Sequence, residues 1–235
     1  MTHQRNHTTL AIANVSRRGL IKGMAAGGLV VAAQFPAVRA ALAYATGAEK
    51  MPHGVVTNPH VFVSIEPSGI VSIVAHRAEM GTGAARTSLP MIVADELDAE
   101  WTKVRIVQSP GDEATYGNQD TDGSRSVRHF LQPMRQIGAT VRLMLETAAA
   151  KRWGVNVEEV EARLHEVVHK PTGRKLSYGD LAADAAALPV PAPDNIRLKD
   201  ASAFRYMGKG NVPMVDLFDI TTGRATYGQD VMCPA

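Results

Sequence analysis

The sequence predicts an α/β chain of the α+β kind, in which mixed strands carry packed helices. Three observations predict it. Two segments alternate apolar and polar residues around a turn, a glycine loop opens onto an apolar pattern of helical period, and a second such pattern runs from about Arg128 to Trp153. The 235 residues, 45% hydrophobic and 20% charged, suffice to bury a core without disulfides. Length fits one domain plus extensions, or a domain and part of another.

The elements follow in chain order. His60 to Ile65 and Ile70 to Ala75 alternate around Glu66-Pro67-Ser68-Gly69, which is turn chemistry, so a β-hairpin is expected. Gly81-Thr82-Gly83 then leads into a helical pattern from about Ala85 to Leu97, with Leu89, Ile92, Val93 and Leu97 on one face. Pro90 falls within its first turns, where proline is tolerated. Val104 to Val107 reads as a strand. The stretch from Ser109 to Ser126 exceeds the usual connection length, which suits a binding loop. The long helix follows, with Leu131, Met134, Ile137, Val141, Leu145 and Ala148 at three- and four-residue steps until Gly154 stops it. A further helix is expected at Tyr178 to Leu188, before Pro189, Pro191 and Pro193 mark a linker. Ala225 to Val231 reads as the start of a strand in a domain cut short by the end of the chain.

The N-terminus reads as an address. Ser16-Arg17-Arg18-Gly19-Leu20-Ile21-Lys22 precedes an apolar run from Gly23 to Ala33, and Ala43-Tyr44-Ala45 offers a small-x-small cleavage site. This resembles a twin-arginine export signal. As a membrane anchor the run is about half of the roughly 20 residues a bilayer needs. Export by that route carries folded proteins and implies a periplasmic destination. Residues 1–45 are therefore set apart from the fold, and 46–57 read as a linker.

Composition excludes some classes. With 25 Lys and Arg against 23 Asp and Glu, the net charge of +2 gives no argument for nucleic acid. Cys233 is the single cysteine, so no internal disulfide and no Cys-Cys zinc or iron–sulfur site can form within the chain.

Two loops have the chemistry of anion nests. Glu79-Met80-Gly81-Thr82-Gly83 lies between a strand and a helix, where glycines let backbone N–H groups approach a ligand and a helix N-terminus attracts negative charge. Arg86 stands where it could add a charge-assisted contact; the plain alternative is a tight turn. A dinucleotide fingerprint would require a third glycine where Arg86 stands, and an acid where Gln108 and Ser109 end the next strand. Asp120 to Val127 is dense in donors and ends at the long helix, which would suit a second anion nest; taken alone, it reads better as a solvated loop with a helix cap from Ser124 or Ser126.

His165-Glu166-Val167-Val168-His169 matches a zinc-binding pattern that a helix would need to present. No glutamate follows Glu166, and Glu166 to His169 also reads as a short strand before Lys170-Pro171-Thr172-Gly173. A zinc hydrolase is the alternative enzyme this segment allows, and a non-catalytic exported binding module is the other. Arg128, Arg135 and Arg142 share one helix stripe and read as a solvated face; His60, His76 and His129 are isolated and read as structural.

Ala78 to Gly83, Leu89-Pro90-Met91-Ile92-Val93-Ala94-Asp95-Glu96-Leu97-Asp98 and Gly123-Ser124-Arg125-Ser126-Val127-Arg128 together resemble the xanthine dehydrogenase/aldehyde oxidase superfamily of molybdenum hydroxylases. The likeness is nearest to the branch of isoquinoline 1-oxidoreductase β-subunits and membrane-associated aldehyde dehydrogenase large subunits. Leu176 to Ala182, Arg205 to Lys209 and Gly223 to Asp230 extend it. The resemblance implies an N-terminal part of a longer large subunit. Residues 58–190 would form part of a molybdopterin-binding domain, 191–210 a linker, and 211–235 the opening of an α/β hammerhead domain.

It implies oxidative hydroxylation of an aldehyde or N-heterocyclic carbon with oxygen from water. The cofactor would be a molybdenum-pterin, often extended as a cytosine dinucleotide; iron–sulfur clusters would sit on a small partner subunit, and a cytochrome c subunit could accept the electrons. Met80, Gly81, Thr82 and Gly83 match one pterin-gripping loop, and Gly123, Ser124, Arg125 and Ser126 match the second. Many members carry glutamine where Thr82 stands. The family's catalytic glutamate belongs to a downstream segment, so no catalytic residue is assigned here and the piece alone is expected to be inactive.

Overall fold

Two three-stranded sheets and one 29-residue helix organise residues 54–232, which are those the computed structural model describes. The export signal and most of the 46–57 linker lie outside the described residues. The fold class is as expected, mixed strands with packed helices.

The first sheet has the order β1-β2-β3. Strand β1 (Val63–Ile65) pairs antiparallel with β2 (Val71–Ala75), Val63 opposite Ile73 and Ile65 opposite Val71. This is the expected hairpin, closed by Gly69 at φ 90° and by its N–H donating to the Glu66 carbonyl (2.8 Å). Its first arm is shorter than the alternation suggests. Asn58 caps a single helical turn, α1 (Pro59–Phe62), and Pro59 presets its φ. In β2, Val71, Ile73 and Ala75 face the core.

β2 also pairs with β3 (Val104–Gln108), in parallel. A parallel pair requires a crossover, and the chain supplies a π-helical turn (Ala84–Ser88) running directly into helix α2 (Leu89–Leu97). Pro90 sits in its first turn, and Asp98 ends it in the left-handed region at φ 58°.

After a short helix α3 (Glu113–Tyr116), the long helix α4 (Arg125–Trp153) packs along α2. It starts three residues before the apolar period does, at the end of the second loop. Gly154 stops it at φ 67°, donating to Ala150 and Lys151. Met134, Ile137, Val141, Leu145 and Ala148 are buried as the period requires. At Gly138 the two helices touch: a Cβ there would lie 2.5 Å from the Val93 carbonyl oxygen and 2.8 Å from the Glu96 side chain.

The second sheet is an antiparallel meander of β4 (Val160–Arg163), β5 (Glu166–His169) and β6 (Lys175–Ser177). Its first turn places Leu164 and His165 at φ 45° and 73°, an uncommon choice for side chains that large. Asp98 holds that turn, accepting from the Leu164 N–H (3.0 Å) through its carboxylate and from the His165 N–H (2.8 Å) through its carbonyl. Helix α5 (Tyr178–Ala186) begins with a capping box between Ser177 and Asp180 and ends two residues sooner than expected.

The Asp95-Glu96-Leu97-Asp98 end of α2 ties the C-terminal segment down. Asp95, fully buried, accepts from the N–H groups of Arg205, Tyr206 and Met207 (2.9, 3.0 and 2.8 Å). Glu96, also fully buried, accepts from Arg135 (2.6 Å), Arg142 (3.3 Å) and the Lys199 N–H (3.0 Å). Asp98 takes Lys199 and Arg205. The arginine stripe is therefore not a solvated face at Arg135 and Arg142; the paired acid on α2 draws both inward, and Arg128 alone stays exposed.

Beyond helix α6 (Leu217–Thr221), the Ala225 to Val231 segment forms no strand. Gly228–Asp230 is a 3-10 turn, capped by Asp230 on the Tyr227 N–H (2.9 Å). Thr226, Tyr227 and Val231 have strand propensity, but Gly228 and Asp230 between them do not, and among the described residues no strand pairs with the segment.

Candidate functional site

Both sequence-derived loops leave the same end of the core. β2 stops at Ala75, and His76 and Arg77, both fully buried, carry the chain out into the first loop. The second loop runs back beside it. Ala78 N–H donates to the Gln119 carbonyl (2.9 Å), and the Thr121 hydroxyl donates to the Ala78 carbonyl. This zipper brings Met80, Thr82 and Ala84 opposite Thr121, Asp122, Gly123, Ser124, Ser126 and Val127, around one open groove of about 420 Å³.

The first nest differs from its expected use. Its N–H groups converge on an anion, but the anion is Glu79. One carboxylate oxygen accepts from the Gly83 N–H (2.9 Å), the other from the Ala85 and Arg86 N–H groups (3.2 and 3.1 Å). Partial burial works against the charged carboxylate; the amides of Arg86, Gly83, Thr82 and Gly81 outweigh it and lower its pKa. Glu79 is thus a fixture of the loop, its carboxylate held in the charged form by the amides around it. Arg86 is also committed, forking onto Asp216 at 2.9 and 3.2 Å, which corrects its expected role as a phosphate contact.

The second nest is differently built. Gly123 and Ser124 both adopt left-handed φ, 49° and 54°, and turn the chain into α4 without any side-chain cap on that helix. The expected cap by Ser124 or Ser126 is not made: the Ser126 Oγ is held by Arg77 Nε at 2.9 Å. The Arg125 guanidinium folds back on Asp122, which neutralises the one carboxylate lining the groove.

Of the eight residues proposed from sequence, five line this groove: Met80, Thr82, Gly123, Ser124 and Ser126. Gly81 opens instead onto a neighbouring groove of about 390 Å³ with Arg86, Met214 and Asp216. Gly83 turns the chain at φ 73° and packs against Met214, whose side chain lies 2.8 Å from where a Cβ would be. Arg125 contributes through Asp122. Sequence reasoning missed Arg77 and Asn118, whose partners lie 41 to 49 residues away, so no local pattern marks them. Glu79 had a signal: an acid just ahead of a helix complements its N-terminal dipole.

The zinc-like segment is a strand, as its shorter reading held. Both ring nitrogens of each histidine are engaged. His165 Nδ1 accepts from the Glu100 N–H (3.2 Å), which leaves its proton on Nε2 for the Gly69 carbonyl (2.6 Å). His169 bonds Thr172 (2.7 Å) and Glu159 (3.2 Å). Among the described residues no group of three or more His, Cys, Asp or Glu is arranged to hold a metal.

Replacing Glu79 by Gln should loosen the first loop, since an amide NH2 meets donors where an oxygen stood. We expect a loss of about 1–3 kcal/mol and faster hydrogen exchange confined to the amides of Gly83, Ala85 and Arg86. Exchange unchanged at these three would refute the assignment. Acid should act like the substitution. With a folded pKa below the free value of 4.5, the carboxylate's contribution is whole above that pH and lost as pH falls through the folded value.

Residues 30–222 match a family model described as the molybdopterin cofactor-binding domain. The chain is 33% identical to isoquinoline 1-oxidoreductase subunit beta of Brevundimonas diminuta, over 94% of this chain and 32% of that protein. It is 31% identical to a membrane-bound aldehyde dehydrogenase [pyrroloquinoline-quinone] of Gluconacetobacter polyoxogenes, over 73% of this chain and 22% of that one. The chain thus spans a third or less of these relatives' length. Among solved structures, quinoline 2-oxidoreductase from Pseudomonas putida 86 is similar over 56% of this chain and 17% of its own, with a TM-score of 0.43 and 21% identity.

Proposed function

Because the chain belongs to the molybdopterin cofactor-binding domain family of the molybdenum hydroxylases, we propose that its groove holds the phosphate-bearing end of a molybdenum-pterin cofactor. The observation that carries this is the convergence of two loops, distant in sequence, on one groove. The donor set fits such a group. The hydroxyls of Ser124 and Ser126 and the N-terminus of a 29-residue helix border the space, the Thr82 and Thr121 hydroxyls being spent on Glu79 and on the Ala78 carbonyl, and the only lining carboxylate is paired. Met80, 67% exposed beside the groove, offers an apolar, polarisable face to a flat ring.

With Glu79 filling the first nest, the two loops divide the work. The Thr121–Val127 side takes the anionic end, and the Met80–Ala84 side takes the neutral ring system. When bound, the molybdenum-pterin would supply the redox chemistry of hydroxylation, and this chain's residues bind and orient it. The cytosine dinucleotide form is proposed for the cofactor.

The parent protein is proposed to be an exported oxidoreductase acting on an aldehyde or an N-heterocyclic carbon. The Ser16-Arg17-Arg18 signal supports a periplasmic location. Iron–sulfur clusters on a small partner subunit, and a cytochrome c subunit that accepts electrons, are proposed as its partners; residues 1–235, with Cys233 as their single cysteine, hold no such cluster themselves.

The test is cofactor retention. The chain is incubated with cofactor released from a molybdenum hydroxylase, desalted and oxidised, and the bound pterin is measured by fluorescence. We expect retention approaching one pterin per chain, abolished by Ser124→Asp, which sets an unpaired charge at the groove against the phosphate. Retention no greater than that of an unrelated protein would overturn the reading.

A further inference from the structure

Arg77 is a charge the fold buries at a cost and answers only in part. Its side chain is fully buried, and among the described residues no carboxylate lies within ion-pairing distance of it. Nε donates to the Ser126 Oγ (2.9 Å), and Nη1 donates to the Asn118 carbonyl (3.3 Å) and to its side-chain oxygen. The guanidinium lies over the Phe130 ring, 4.7 Å from its centre. Nη2 is buried and has no partner. Burial presses the Arg77 pKa down, Arg125 presses the same way, and Asp122 and Asp120 oppose them from a distance. Desolvating a guanidinium without an adjacent anion is costly, and an apolar side chain in its place would avoid that cost.

The geometry gives that charge an outlet. In the planar guanidinium fork one Nη2 N–H runs parallel to the Nε–H, so the unpartnered arm faces the side on which Ser126 stands. A serine hydroxyl has two lone pairs and one proton. With Arg77 occupying a lone pair, the proton must point elsewhere, and Ser126 lines the groove.

We propose that Arg77 is a positioning residue that fixes the Ser126 hydroxyl as a donor into the groove and lends it cationic character, so that the groove prefers phosphate-type oxygens. The inference rests on the reading that this groove takes the phosphate end of the cofactor. The buried charge then acts on the ligand through one hydroxyl, while the part-buried arginines Arg125 and Arg86 stay bound to Asp122 and Asp216.

Pyrophosphate is the probe, titrated calorimetrically into the 235-residue chain and its variants. Ser126→Ala and Arg77→Gln should each weaken pyrophosphate binding about 10- to 100-fold, the range for losing a hydrogen bond to a charged group. The double variant should be no weaker than either single one, because both changes remove the same donor. Arg77→Lys should restore part of the affinity by returning the charge. Circular dichroism checks folding, and if Arg77→Gln does not fold, Ser126→Ala decides alone. Folded Ser126→Ala with wild-type pyrophosphate affinity, or losses that add in the double variant, would overturn the proposal. Wild-type chain that retains pterin but ignores pyrophosphate also overturns it while leaving the cofactor reading intact. Failure of pterin retention sinks that reading first.

Discussion

Glu96→Gln is expected to destabilise the chain by about 3–5 kcal/mol, the usual cost of breaking a buried ion pair from one side. Glu96 is fully buried, and its two oxygens meet Arg135, Arg142 and the Lys199 N–H. Gln keeps the volume but removes the charge, and its NH2 must face one of those donors. Two largely buried guanidiniums then share carbonyl oxygens alone, those of Lys199, Arg197 and residue 96 itself. For a domain of this size the melting temperature should fall by about 10 °C. Urea denaturation checks it: the midpoint should drop with the slope unchanged. A loss under about 1 kcal/mol would mean that the paired arginines are solvated in practice.

The second large effect concerns acid. Burial, and then the neighbouring Arg77 charge, lower the His76 pKa from 6.5 to about 3. The unfolded chain takes up this proton near pH 6.5, the folded chain only near pH 3. Between those values the unfolded state holds the extra proton, so stability falls on acidification by about 1.4 kcal/mol per pH unit. Above pH 6.5 this group contributes no slope. His76 sits between Phe62 and Phe130, with ring centres at 5.3 and 4.6 Å, and neither ring nitrogen has a partner. His76→Phe should therefore keep the packing, remove the slope, and stabilise the chain by about 1–2 kcal/mol at neutral pH, since no hydrogen bond is lost. Subtracting the variant's stability-against-pH curve from the wild type isolates His76 from His165 and the carboxylates. A flat difference between pH 4 and 6 would show that the ring is protonated or hydrated in the folded state.

What the sequence made legible was local. The alternation at Val71, Ile73 and Ala75, the period from Met134 to Ala148 and the stop at Gly154 each follow from a few neighbouring residues, and the structure carries all of them. The two loops were readable only in combination, because glycine and hydroxyl residues before a helix equally make a tight turn or a capped, solvated loop. The partners were not. Glu96 meets Arg135 and Arg142 across 39 and 46 residues, so a stripe of three arginines looked like a wet surface when two of them close on a buried acid. Glu79 fills its own nest through a turn whose φ values at Gly81 and Gly83 decide where the amides point, and composition gives no φ. The mistaken strand at Ala225 to Val231 has a similar origin: its side chains favour extended backbone, but pairing is a property of neighbours.

The bare flank of Gly138 has a consequence far from where it lies. α2 continues directly from the first loop and α4 from the second, so the spacing of the loops is inherited from how closely those helices cross. At Gly138 the Val93 carbonyl occupies the space a methyl would need, and α4's first residue lies about 20 Å along the helix from that point, at 1.5 Å per residue. The helices work as a pair of calipers with Gly138 as the set-screw. The aperture between Thr82 and Ser124 is gauged at a position that never meets whatever enters it.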